Sequence, residues 1–212
     1  MQMKVGSRNI KLKTIIVAGM TISVVVVIIS SIIGGLQDAY TQDILSYRKQ
    51  KNEYFKTNKD SPIEDQISFQ TLNYFEPNKE YCINPVLKLI KDSSFVAIVN
   101  NNAEKNKYWR YAQAIFEIGK TKDTLIIYRK ASLKTEDLTY FLPFYDETND
   151  KETYSGGRYL DLKIKDSNSV LLDFNFAFNP YCVYNHLFSC PVPPAENKLT
   201  SRIEAGEKVF NK

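Results

Sequence analysis

The longest uninterrupted hydrophobic stretch lies near the start of the chain. No residue from Thr14 to Gln37 is charged, and residues 15–36 run Ile-Ile-Val-Ala-Gly-Met-Thr-Ile-Ser-Val-Val-Val-Val-Ile-Ile-Ser-Ser-Ile-Ile-Gly-Gly-Leu. As a helix, such a run spans roughly 33 Å at about 1.5 Å per residue, enough for a hydrocarbon core of about 30 Å. Its β-branched content would suit a strand in water, but in lipid the backbone must satisfy its own hydrogen bonds, so an isolated span is helical. A cleaved signal peptide is the competing reading. Signal peptides have shorter apolar stretches, of about 7–15 residues, ending in a small-x-small site, which Gly34-Gly35-Leu36-Gln37 matches poorly. Lys4, Arg8, Lys11 and Lys13 before the run, with Asp38 and Asp43 after it, place the N-terminus in the cytoplasm and the rest outside. The expected location is the plasma or inner membrane, single-pass, with the lipid bilayer as partner of the first helix.

Beyond the run the pattern becomes amphipathic. Tyr40, Ile44, Tyr47, Tyr54 and Phe55 recur at helical spacing among Arg48, Lys49, Lys51 and Glu53, which predicts a helix over 38–58 laying an aromatic stripe on the domain it precedes. Asp60-Ser61-Pro62 ends it, because the residue before proline avoids the helical region. From Ile67 onward the period shortens to two. Strands are expected at 81–90, 95–100, 108–118, 124–130, 139–145, 158–165 and 170–178, separated by turn clusters such as Asn100-Asn101-Asn102 and Asp166-Ser167-Asn168-Ser169. Ala112, Ala114, Phe116 and Ile118 oppose Gln113 and Glu117, and Leu160, Leu162 and Ile164 oppose Asp161, Lys163 and Lys165. So many short strands without intervening helices argue for an antiparallel β-barrel or sandwich. Residues 199–209 are expected as a tail packed on the barrel.

The organisation that follows is a basic N-terminus (1–14), an anchor (15–36), a helix and linker (37–62) and a β-rich domain (63–212). Composition supports a globular part, with 43% hydrophobic and 25% charged residues. The formal charge of +4 belongs to the first 13 residues, and everything after them balances at 24 positive and 24 negative side chains. The exposed part therefore carries no basic footprint for nucleic acid.

Strong catalytic signatures are missing. The sequence holds no Gly-rich phosphate loop, no Gly-x-Ser-x-Gly elbow and no His-Glu-x-x-His, and its single histidine, His186, eliminates multi-histidine metal sites. Without a phosphate site a flavin has no seat, and no cofactor is expected. Cys182, His186 and Cys190 form Cys-x3-His-x3-Cys. A disulfide between Cys182 and Cys190, two unlinked thiols, and a zinc site completed by Glu196 or Cys82 are the three readings, with the oxidising exterior favouring the bridge over metal. Cys82 is then left over as a small buried apolar residue. A second constellation, Glu152-Thr-Tyr-Ser-Gly-Gly-Arg158-Tyr-Leu-Asp161, sets a glycine pair between a carboxylate and a guanidinium. It reads either as a tight loop closed by a Glu152–Arg158 salt bridge or as a ligand contact in which Arg158 grips an anion. The third is Leu172-Asp173-Phe174-Asn175-Phe176-Ala177-Phe178-Asn179, whose polar alternates share one strand face. A hairpin with an odd loop after Lys165 would align Leu160, Leu162 and Ile164 with Leu172, Phe174 and Phe176, leaving the polar row to face solvent or a polar cavity.

The last two segments, with Asn179-Pro-Tyr-Cys-Val-Tyr, Cys190-Pro-Val-Pro-Pro-Ala-Glu196-Asn197 and Ile203-Glu-Ala-Gly-Glu-Lys, resemble the bacterial family called domain of unknown function 1684. The resemblance covers roughly residues 43–208 and excludes the anchor. It implies that 152–161, Asp173-Phe174-Asn175, Cys182, Cys190 and Glu196-Asn197 are recurrent motifs. His186 belongs to none of them, and Ser155 and Tyr181 depart from the Gly and Pro expected there. It implies no activity. The resulting expectation is a membrane-anchored extracytoplasmic module binding a small polar ligand or an envelope component through Glu152, Arg158, Asp173, Asn175, Asn179, Glu196 and Asn197. The alternative is a hydrolase or transferase using two of Glu152, Asp173 and Glu196 as an acid–base pair.

Overall fold

The computed structural model describes residues 39–91, 95–131, 139–164 and 169–210, together with positions 25, 26, 29, 31, 34 and 35. The anchor expected at 15–36 lies for the most part outside the described residues, and among those described no helix is long and apolar enough to cross a membrane. The chain divides into two compact units, Met1–Asp43 and Ile44–Lys212. Described positions of the first are helical.

The second unit opens with helix α1 (44–57). Its stripe does what the spacing predicts at two positions: Ile44 and Phe55 are fully buried. Phe55 packs edge-on against Tyr184, 5.1 Å between ring centroids, in a cluster with Ile63, Phe69 and Leu72. Arg48 lies along the same surface, donating to the Phe75 carbonyl at 2.8 Å with its guanidinium over the Tyr74 ring. The helix stops before Asp60-Ser61-Pro62 because side chains take up its last carbonyls: Ser61 Oγ and Gln66 Nε2 both donate to Phe55 O, at 2.6 and 3.0 Å.

Among the described residues eight strands follow: β1 (Cys82–Ile83), β2 (Val86–Leu89), β3 (Phe95–Val99), β4 (Lys105–Ile118), β5 (Thr121–Lys130), β6 (Thr139–Phe144), β7 (Arg158–Lys163) and β8 (Leu172–Asp173). All pairings between them are antiparallel. The main sheet runs β2-β4-β5-β6-β7, with β3 beside β2's neighbour β4 as well. The long β4 serves both, pairing with β3 through 105–109 and with β2 through 112–115. Between those halves an extra residue, Tyr111, interrupts the register with β5. The bulge reverses the facing of the strand. Tyr108 joins a cluster with Ile98, Ile126 and Tyr128, whereas Ala114 and Phe116 join the main core.

Three expectations need correction. The sheet does not close into a barrel: among the described residues β2 and β7 are the ends of the path. Irregular chain covers its main core face, with Phe174, Leu199, Ile203 and Ala205 packed on Leu125, Leu142, Phe144, Leu160 and Leu162. The expected tail does pack on the sheet, and it enters the core itself. Gly206 permits this, since at φ +77° a Cβ there would lie 2.6 Å from the Ala177 carbonyl oxygen. The second correction concerns 170–178, which yields only two strand residues before a 3₁₀ turn, Phe174–Phe176. Asp173 accepts the Asn175 N–H at 3.0 Å, a local bond that competes with a ladder. β8 pairs with β1, not with β7, and the expected hairpin survives as the single Tyr159–Phe178 bridge. Pro85, lacking an N–H, separates β1 from β2 where one strand was expected.

Candidate functional site

Most residues singled out from sequence are brought inside, where they hold the fold. Arg158 at the start of β7 is fully buried. It pairs with Asp146 at 2.8 Å, not with Glu152, and donates to the carbonyls of Ala205, Ile203 (2.8 Å) and Glu207 (3.2 Å). Burial pushes its pKa down and Asp146 pulls it back. Its Nε is left without a partner, but the group is fully enclosed and offers no face to a ligand. Glu152 instead reaches Arg202 at 2.7 Å on the surface, which corrects the expected Glu152–Arg158 bridge. The glycine pair beside them is a packing device: Gly157, at φ +85°, sits where a Cβ would meet the Phe144 carbonyl at 2.6 Å and Pro193 at 2.8 Å.

Three buried amides act as pieces of backbone. Asn197 accepts from Ile126 N–H (2.7 Å) and donates to the carbonyls of Ile126 (2.9 Å) and Pro143 (2.7 Å), filling the gap where β5 and β6 share only the Tyr128–Phe141 pair. Asn175 pairs both ways with the Asn78 backbone, at 2.9 and 2.8 Å, and donates to Asp173 at 2.9 Å. Asn179 donates to the Lys208 carbonyl at 2.8 Å. The polar row of that segment therefore faces neither solvent nor a polar cavity but other parts of the chain. Glu196 is held bidentately by Arg110, at 3.0 and 3.1 Å, and accepts the Tyr128 hydroxyl at 2.5 Å. Burial raises its pKa, but those bonds outweigh it and the net shift is downward. Glu152 and Glu196 line separate clefts, and Asp173 caps a turn. They form no acid–base pair.

Cys182 and Cys190 stand together as two free thiols, with the Cys182 N–H donating to Cys190 Sγ at 3.2 Å. Cys82 on β1 is half-buried rather than enclosed. His186 is exposed, 3.3 Å from Glu64. Among the described residues no three His, Cys, Asp or Glu side chains gather as a metal site.

Among the described residues a cleft of about 680 Å³ gathers charged and aromatic groups from segments not adjacent in sequence. α1 contributes Tyr47, Lys51, Tyr54 and Phe55; β7 contributes Tyr159 and Asp161; the loops beyond contribute Phe178, Tyr181, Phe188 and Cys190. Seven of these are aromatic. The local alternation explains the carboxylate: Leu160 and Leu162 turn into the core, so Asp161 between them turns out to the cleft. Desolvation raises the Asp161 pKa and Lys51 opposes it. Lys51 lies over the Phe178 ring at 4.7 Å and the Phe55 ring at 5.4 Å, and its ammonium pairs with buried Glu207 at 2.5 Å. Glu207 also accepts the Tyr184 hydroxyl at 2.5 Å and the Asn179 N–H at 2.9 Å. The Tyr47 phenol is pushed up to about 12 by burial, with the charges of Glu207 and Asp161 adding to it, so it remains a protonated donor at neutral pH.

Sequence reasoning placed Tyr47, Tyr54 and Phe55 on one helical stripe and Asp161 on the outward face of its strand, but did not single them out as a site. The available signal was an aromatic stripe wider than the buried face requires, since only Phe55 of those three is fully enclosed.

The chain is similar over 81% of its length, and 95% of the other's, to the solution NMR structure of an uncharacterized protein from Haloarcula marismortui, at 28% identity and a TM-score of 0.62. No curated protein matches. Residues 67–208 match the family model described as "Protein of unknown function (DUF1684)", and the chain belongs to that family.

Proposed function

We propose that the domain is a binding module whose cleft takes a small organic cation of the ammonium class, and that residues 15–36 anchor it to a membrane with the domain on the outer side. The observation that carries the first half is the aromatic cleft with an accessible carboxylate, Asp161, on its wall. A volume of about 680 Å³ suits a small molecule. Aromatic faces attract cations by about 0.5–2 kcal/mol each, more when desolvated. The cleft already uses that attraction on Lys51 over Phe178. Charge favours the same sign of ligand. Lys51 is neutralised by Glu207, which leaves Asp161 as the net charge facing an incoming molecule. The second half rests on the unbroken apolar run and the basic residues before it.

Both halves are tested on the full chain in spheroplasts. Externally added choline should bind more tightly than its neutral isostere 3,3-dimethylbutan-1-ol, and D161N should weaken choline by about tenfold, or about 1.4 kcal/mol. External protease should remove the domain and with it the binding. Equal binding of choline and the isostere, or no effect of D161N, overturns the cation. A domain that resists protease on intact spheroplasts but not on lysed ones overturns the orientation. Because ionised Asp161 is the form that holds a cation, choline affinity should fall as pH drops through the raised carboxyl pKa.

A further inference from the structure

We propose that Cys182 and Cys190 are a thiol–disulfide exchange pair, with Cys190 the attacking sulfur and Cys182 the resolving one, acting on small organic disulfides that enter the aromatic cleft. Three features of the geometry point to it. Cys190 lines the cleft although it is otherwise buried, so its sulfur meets only molecules small enough to enter. Cys190 Sγ accepts the Cys182 N–H at 3.2 Å, which sets the two residues side by side. The backbone of Cys190 is clamped, its N–H donating to Asn101 Oδ1 at 2.9 Å and its carbonyl accepting the Asn101 N–H at 3.0 Å. The residues between the sulfurs include exposed Leu187 and Phe188, so a short surface loop can absorb the approach of one sulfur to the other.

The division of labour follows from the surroundings. The Cys182 thiol donates toward Cys190 and is desolvated, which raises its own pKa; receiving that bond and two backbone N–H contacts lowers Cys190 to about 7, against the effect of burial. Near neutrality Cys190 is substantially thiolate and Cys182 is a thiol, the arrangement in which one sulfur attacks and the other waits. The other titratable groups nearby are the Tyr154 and Tyr159 phenols, both raised chiefly by burial, and the Lys51 and Asp161 side chains of the cleft.

In the reaction the Cys190 thiolate attacks one sulfur of R–S–S–R, breaking that bond and releasing RS⁻, which takes a proton to become RSH. Cys182 then gives up its proton as its sulfur attacks Cys190 Sγ in the mixed disulfide, releasing the second RS⁻, which is protonated in turn. Counted from two thiols, the protein loses two protons and two electrons, and the external disulfide gains both as two thiols. The mechanism does not depend on the cation reading.

The test incubates the full chain with bis(2-hydroxyethyl) disulfide, alkylates the remaining thiols and maps the peptides. The expected product is a Cys182–Cys190 linked peptide with Cys82 alkylated, reversed by dithiothreitol, and a reaction rate rising with pH through a midpoint near about 7. C182S should stop at a mercaptoethanol adduct on Cys190. Should C182S fail to fold, sub-stoichiometric iodoacetamide on the unaltered chain at pH 7 replaces it, with Cys190 expected to react first. Retention of both thiols, or first reaction at Cys82 or Cys182, overturns the proposal.

Discussion

Arg158 shows how far a residue's type can mislead about its task. A guanidinium beside a glycine pair looks like a ligand grip, yet its donors go to Asp146 and to three carbonyls of the C-terminal segment. Asp146 in turn accepts from Thr148 and from the Ile203 N–H at 3.2 Å. R158M should therefore destabilise the domain by about 3–5 kcal/mol, because it leaves a buried carboxylate and several carbonyls without their donor. Pairing it with D146N should recover part of that loss, since the two residues share one network. Denaturant unfolding of both variants checks this; additive losses would mean that the two side chains act independently. The residue types alone identified Arg158 as important but not its partner, since the carboxylate across the glycine pair, Glu152, is on the surface with Arg202.

At the level of elements, the period-two pattern was a good guide wherever a strand buries one face. Leu160, Leu162 and Ile164 are enclosed and Asp161 and Lys163 are not, as alternation requires. It failed over 170–178, where alternation is equally clean but Asp173 and Asn175 bond locally and to Asn78. Periodicity records which way side chains point in an extended chain; it does not record whether a neighbouring strand is there to extend against. The link between β5 and β6 illustrates the same limit, because an asparagine from a distant loop supplies hydrogen bonds that a ladder would. N197A should cost about 3 kcal/mol or more by stranding the Ile126 N–H and the Ile126 and Pro143 carbonyls, at about 1–3 kcal/mol per buried group. Amide exchange at Ile126 should quicken along with it; protection there equal to the unaltered protein would show that water replaces the amide at no cost.

For the molecule as a whole, the mainly antiparallel architecture with one preceding helix was legible, and the open sheet was not. Closure depends on what covers the sheet, and although 199–209 was expected to pack on it, that run, with Gly206 and no clear period, gives no sign that it supplies core residues where further strands would have closed a barrel. The cleft was illegible for a related reason, being assembled from α1, β7 and the 178–190 loops, three regions whose proximity no local pattern encodes. Leu199, Ile203 and Ala205, all essentially without solvent contact, have a temporal consequence too. Synthesis delivers them after every strand they cover, so the sheet must wait, with its apolar face uncovered, until residues 199–205 have left the ribosome. Truncations that end before Leu199 should consequently stay unable to pull on an arrest peptide, whereas chains extended past Glu207 should generate force abruptly. Such a late, all-at-once completion would leave the nascent domain dependent on a chaperone for most of its emergence.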